Sequence, residues 1–298
     1  MIKVIATDMD GTLLGESHRL DEVTLKVIHK AQDAGIRFML ATGRNYDGAI
    51  SALGNLASEL TCDYLVGSGA EVRNPEKEIV SRQIMDYELC REVYEVIQKY
   101  PVAMIFCTDG CDYQIGTPEE VEEGMMLHLE LFYENLTREE ILESDSYRRL
   151  QAKTKMLRDF DELVEQQIAV FKFYVFSRDV EMLGKMKEEL SVDSRLAVAS
   201  SFSTNLEITD ARAQKGPVLK EYIESLGYTM EEVMVFGDSL NDFSMLEMDF
   251  GATIAMGNAD EEVKAVSKYV TKPNTEYGVA YTIEKLLESY EKGRYNKQ

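Results

Sequence analysis

Two short runs of this 298-residue chain hold the residue types that metal and phosphate chemistry require. One is Asp8-Met9-Asp10-Gly11-Thr12-Leu13-Leu14; the other is Gly237-Asp238-Ser239-Leu240-Asn241-Asp242. Each directly follows an apolar, β-rich stretch, at residues 2–7 and 233–236. Strand side chains alternate between faces, so Asp8 and Asp10, two apart, can converge on one point at the end of a strand. Gly11 lets the chain turn tightly there, and Thr12 can donate to a neighbouring carboxylate. At about 4 Å and an effective dielectric of about 20, each pair of like charges costs about 4 kcal/mol, so carboxylates gathered in one crevice either take up protons or bind a cation. Oxygen ligands with no His or Cys beside them suit a hard ion, and Mg²⁺ fits best. Helix capping would account for one such cluster, but not for two at equivalent places in one sheet.

Thr42-Gly43-Arg44 ends a second apolar stretch, where a hydroxyl and backbone N–H groups can hold phosphate oxygens. Lys215 precedes Gly216-Pro217 at the start of a helical pattern. A lysine opposes the helix dipole there unless it answers an anion. Cysteine chemistry has little support: Cys62, Cys90, Cys107 and Cys111 are too few and too irregular for a disulfide framework. His18, His29 and His128 have no second ligand at zinc spacing.

The elements that must position these residues alternate strand and helix. Residues 2–7, 36–41 and 64–66 read as buried strands. The helix over 21–34 has Val23, Val27, Ile28 and Ala31 at helical spacing and stops at Gly35, and Asn45 can cap the next helix. The rhythm returns with helices at 216–226, 240–247, about 259 onward and 278–290, and strands at 233–236, 252–255 and 269–271. This is the pattern of an α/β, doubly wound parallel sheet. Residues 83–195 differ, mixing long helical patterns with strands at 102–107 and 171–176 and carrying −12 of the net −22 charge. We therefore expect a sheet domain of residues 1–82 and 196–298, interrupted by an α+β cap domain at 83–195 that acts as a hinged lid. Lys172 reads as a structural charge on the cap's sheet.

The charge of −22, from 32 Lys and Arg against 54 Asp and Glu, disfavours general binding to nucleic acid or to anionic membranes. No apolar run approaches the ~18 residues of a membrane helix, and the first strand leaves no room for a signal peptide. A cytoplasmic protein acting on a small molecule is expected; oligomeric state is not legible.

In this order, Asp8-Met9-Asp10-Gly11-Thr12, Thr42, Lys215 and Gly237-Asp238-Ser239-Leu240-Asn241-Asp242 resemble the haloacid dehalogenase superfamily of phosphohydrolases. With Ala255-Met256-Gly257-Asn258-Ala259 and Gly278-Val279-Ala280, they look more narrowly like its Cof-type branch (subfamily IIB), over nearly the whole chain. One position departs from the branch: Ser68-Gly69-Ala70 stands where it has Asn-Gly-Ala. The resemblance implies a Mg²⁺-dependent phosphatase of small phosphorylated metabolites, such as sugar phosphates, working through an aspartyl-phosphate. It implies Asp8 as nucleophile and Asp10 as acid and base. Mg²⁺ would sit on Asp8, the Asp10 carbonyl and Asp238, with Asp242 orienting that shell. Thr42, Gly43, Lys215 and Asn241 would meet the phosphate, while Arg44 and Asn205 are candidates for substrate contacts, Asn205 equally for satisfying backbone in a turn. A phosphomutase on the same core remains open, as does a phospho-aspartate signalling or binding module, although the chain length and the inserted domain argue against a simple receiver.

Overall fold

The computed structural model describes residues 1–133 and 135–295. Its strands, in chain order, are β1 (Val4–Thr7), β2 (Arg37–Ala41), β3 (Asp63–Val66), β4 (Glu71–Arg73), β5 (Ile79–Arg82), β6 (Ala103–Cys107) and β7 (Asp112–Ile115). They continue with β8 (Thr154–Leu157), β9 (Lys172–Phe176), β10 (Leu196–Ala199), β11 (Asn205–Asp210), β12 (Val233–Gly237), β13 (Ala252–Ala255) and β14 (Tyr269–Val270). Contacts divide the chain into two units: Met1–Arg82 with the segment from Gln214 onward, and Gln83–Ala213.

The first unit is the expected α/β sheet. Six parallel strands run in the order β14-β13-β12-β1-β2-β3, and β4 and β5 extend one edge as an antiparallel hairpin. All four residues of β1 are buried, as a strand covered by helices on both faces requires. The helix Glu22–Asp33 covers part of the sheet with Leu25, Val27, Ile28 and Ala31, and Asp21 caps it by accepting from the Thr24 amide. Asn45 caps the helix Tyr46–Leu53 through the Gly48 amide. Strand order reverses between β1 and β12, and open α/β sheets place their ligands outside the carboxyl ends of the strands at such a reversal. Asp8 and Asp238 follow those two strands directly.

The second unit holds the sheet β10-β11-β9-β6-β7-β8, antiparallel except between β7 and β8. On one face Phe106, Phe173, Val175, Leu206 and Ile208 pack with residues of the helices Tyr87–Ile97, Phe160–Glu165 and Val180–Leu190. Residues of opposite parity, among them Lys172, Tyr174, Asn205 and Glu207, line the other face. The helix Pro118–Phe132 brings His128 against Tyr174 and Phe176 there, at ring-centroid distances of 5.3 and 5.2 Å.

One boundary differs from the sequence expectation. Residues 196–213 do not join the parallel sheet: β11 pairs with β9 from Asn205↔Phe176 to Thr209↔Lys172, and β10 pairs with β11. The second junction therefore lies between Ala213 and Gln214 rather than at 195/196. Alternation along a strand tells which residues face a core but not which sheet the strand will join. The hairpin β4–β5 is likewise not legible in the sequence, because β5 is exposed along its length and carries no burial pattern.

Candidate active site

Asp8 leaves β1 with its amide donating to the Phe236 carbonyl on β12, at 3.0 Å. The chain then turns through Met9–Leu13, where Gly11 takes φ +75°. A side chain at Gly11 would place its Cβ 2.3 Å from Asp238 Oδ2, so glycine is needed both for the turn and for the approach of the second carboxylate run. Thr12 Oγ1 donates to Asp238 Oδ1 at 2.5 Å, the contact its position in the motif foreshadowed.

Lys215 opens the helix Lys215–Ser225, and its ammonium is wholly buried. It donates to Asp8 Oδ1 at 2.7 Å and to Asp242 Oδ1 at 2.6 Å. The other oxygen of Asp242 accepts the amides of Asp238 (3.0 Å) and Ser239 (3.2 Å), so this carboxylate braces the loop that carries Asp238. Ser239 Oγ donates to Asn241 Oδ1 at 2.8 Å. Asn258, to which the sequence motif assigns no role, donates from Nδ2 to the Gly11 carbonyl at 2.9 Å and accepts the Asn274 amide, tying down the turn after Asp10.

Asp8, Asp238 and Asp242 each offer an oxygen within 4.8 Å of the others. Burial, then the Asp242 charge, pushes the Asp8 carboxyl well above the usual range, against the opposing pull of Lys215. The same two causes push Asp238 up to about 7. Burial alone would lower the Lys215 ammonium, but Asp242 and Asp8 outweigh it and hold the group above its ordinary value. With all three carboxylates ionised, the one ammonium would leave two negative charges uncompensated beside the buried Asp8, Asp242 and Lys215. A small divalent cation with oxygen preference fits both that charge and that donor set. By contrast, burial pushes the thiols of Cys62 and Cys90 up to about 12, away from nucleophilic use.

These raised carboxyls make stability depend on pH in a definite sense. A carboxyl with a higher pKa folded than unfolded binds its proton more tightly in the fold. Its stabilising contribution is present below the unfolded value and is lost as pH rises through the folded one, for Asp238 between 3.8 and about 7. In EDTA, the thermal midpoint is therefore expected to fall across that window, and added Mg²⁺ should recover more of it at pH 8 than at pH 5. Midpoints with and without Mg²⁺ that run parallel across the window would contradict this account.

Thr42, Gly43 and Arg44 follow β2. The Thr42 hydroxyl accepts the Arg44 amide at 3.2 Å, the Arg44 carbonyl accepts the Gly67 amide at 2.7 Å, and the Thr42 carbonyl accepts the Ser68 amide at 3.0 Å. Ser68 holds φ +60°, a left-handed conformation that asparagine adopts more readily than serine, which gives the branch's usual Asn a backbone reason. Arg44, a candidate for a substrate contact, forks its guanidinium onto Asp10, Nε to Oδ2 and one terminal NH₂ to Oδ1, both at 2.7 Å. Asn205 lies in the second unit, where its side-chain oxygen accepts the Ser201 and Phe202 amides at 3.1 and 2.9 Å, the turn-satisfying arrangement. In that unit Lys172 forms a buried ion pair with Glu207 at 2.5 Å.

A family model for haloacid dehalogenase-like hydrolases matches residues 5–283. The chain belongs to this family. Among its haloacid dehalogenase-like relatives, 5-amino-6-(5-phospho-D-ribitylamino)uracil phosphatase YwtE of Bacillus subtilis is 29% identical, covering 96% of this chain and 98% of its own. Pyridoxal phosphate phosphatase YbhA of Escherichia coli is 26% identical, covering 94% and 97%. A haloacid dehalogenase-like hydrolase of B. subtilis of known structure superposes with a TM-score of 0.82 at 26% identity, over 95% of this chain and 99% of that one. The Cof-type resemblance read from the motifs thus stands, and the chain is a phosphomonoesterase of this family. Among the described residues no helix is long and apolar enough to cross a membrane.

Proposed function

We propose that the chain is a Mg²⁺-dependent phosphatase of small phosphorylated metabolites that works through a phosphorylated Asp8. The observation that carries this reading is the buried cluster at the switch point of the sheet, where Asp8 meets Lys215 and two further carboxylates. Asp8, the Asp10 backbone carbonyl and Asp238 would hold Mg²⁺, whose charge would offset that of the phosphoryl oxygens facing an incoming carboxylate.

The chain's own groups do the rest. A carboxylate oxygen of Asp8 attacks phosphorus while the bond to the leaving oxygen breaks. Lys215, already against Asp8, draws the phosphoryl oxygens toward the nucleophile, and the Thr42–Gly43 loop and Asn241 flank them. Asp10 gives its proton to the leaving oxygen, then takes one from the water that cleaves the aspartyl-phosphate, returning Asp8 and releasing phosphate. A phosphomutase would instead pass the phosphoryl group to a second substrate hydroxyl; relatives named as phosphatases support hydrolysis. Relatives that act on a phosphoribitylamino-uracil and on pyridoxal phosphate support a compact metabolite ester as substrate.

A panel of phosphorylated metabolites assayed for inorganic phosphate, with Mg²⁺ and with EDTA, tests the reading; no cation-dependent release from any ester would reject it. Asp238→Ala is expected to weaken Mg²⁺ binding more than Asp242→Ala, because Asp242 spends its oxygens on Lys215 and two amides. Calorimetric titration decides it, and wild-type affinity in Asp238→Ala would remove that residue from the site. Asp10→Asn should lower kcat/KM on an alkyl phosphate by roughly 10²–10⁴-fold, the usual span of general acid catalysis. The loss should shrink on an aryl ester whose leaving group departs unprotonated.

A further inference from the structure

The ion pair between Arg44 and Asp10 has no part in the chemistry above, yet it holds the one group there that must move a proton twice. Asp10 stands in a non-helical turn (φ −75°, ψ 125°) just before Gly11, and its side chain is 35% exposed. Neither backbone nor burial fixes such a carboxylate, and a short side chain in a loop has several rotamers open to it. Arg44 does fix it. Two parallel N–H···O bonds of 2.7 Å set the plane and direction of the carboxylate as well as its distance. The fork takes one lone-pair site on each oxygen and leaves another on each, so a proton can leave and return without the pair breaking. The anchor is itself fixed: the Arg44 amide is bound to the Thr42 hydroxyl and its carbonyl to the Gly67 amide.

We propose that Arg44 is the positioning residue for the acid–base group, aiming the Asp10 carboxylate from the loop after β2 rather than serving as a substrate contact. This rests on the assignment of Asp10 made above. It also explains why arginine stands here: lysine is a point charge and would grip one oxygen only.

The test compares Arg44→Met, Arg44→Lys, Asp10→Asn and the double variant Asp10→Asn/Arg44→Met on two substrates. Glycerol 2-phosphate needs its leaving oxygen protonated; p-nitrophenyl phosphate does not. The readout is kcat/KM, which covers the steps up to departure of the leaving group. A small misplacement of a reacting group costs on the order of 10²-fold. Arg44→Met is therefore expected to lose at least roughly ten times more on the glycerol ester than on the aryl ester, with Arg44→Lys in between. Adding Arg44→Met to Asp10→Asn should cost little further on the glycerol ester, since residues acting through one another are non-additive. Equal losses on both esters, expressed in KM, would make Arg44 a substrate contact and overturn the proposal. Equal losses with a lowered thermal midpoint would make Arg44 structural and overturn it as well. If Asp10→Asn shows no leaving-group dependence, the Asp10 assignment fails and takes this proposal with it. If Asp10→Asn shows that dependence and Arg44→Met does not, the positioning role alone is rejected.

Discussion

Asp8→Asn is expected to abolish turnover, by roughly 10⁴–10⁶-fold, the scale on which removal of an enzyme nucleophile is felt, while leaving the protein as stable as the wild type or more so. The first half follows from chemistry: an amide oxygen is a poor nucleophile, and no other described carboxylate occupies the same place at the end of β1. The second half follows from the cluster. Asp8 is buried beside Asp242 and Asp238, and its ionised form is disfavoured by both. Replacing it with a neutral amide removes one of the crowded charges, while the remaining side-chain oxygen can still accept from Lys215. Without metal, the variant should therefore melt at or above the wild-type temperature at pH 8. Such a gain in stability on loss of a reactive group is the usual mark of a site strained for function. Phosphate release and thermal melts in EDTA measure the two halves separately. Residual turnover within tenfold of wild type would end the assignment of Asp8; a large drop in midpoint would contradict the electrostatic account instead.

Lys215→Met should have the opposite effect on stability and a comparable effect on activity. Lys215 is the cation against which Asp8 and Asp242 are both bonded, and neither its ammonium nor the Asp242 carboxylate reaches solvent. Breaking a buried ion pair by removing one partner costs about 3–5 kcal/mol, because the remaining charge stays buried and unpaired. Methionine keeps most of the volume, so the loss is electrostatic rather than a cavity effect. Urea unfolding in EDTA should show it, with a larger deficit at pH 8 than at pH 5, where the Asp238 carboxyl, pushed up to about 7 by burial and by the Asp242 charge, holds its proton and the cluster carries less negative charge. Mg²⁺ should restore part of the stability, since it supplies positive charge to the same oxygens, but not the activity. A Lys215→Met protein as stable as wild type in EDTA at pH 8 would mean that the cluster does not carry its negative charges.

The two carboxylate runs, the lysine that answers them and the parallel sheet beneath were legible in the chain because each is local. A strand pattern ending in Asp8 or Asp238 announces both the strand and the side chain it delivers, and β1 and β12 then need only to be neighbours. Lys215 stood out because a lysine at a helix N-terminus opposes the dipole, and the structure supplies two carboxylates as its reason. What the sequence could not say was which partner each polar group would choose across long stretches of chain. Arg44 and Asp10 are 34 residues apart, and nothing in the composition of either loop distinguishes a guanidinium aimed at substrate from one aimed at a carboxylate. Lys172 and Glu207 meet only because β9 and β11 pair antiparallel in that register. The same pairing drew residues 196–213 into the second unit and made Asn205 a turn-capping residue there. Periodicity encodes which way a side chain faces, whereas register and sheet membership come from packing between distant segments, and only the tertiary structure decides those.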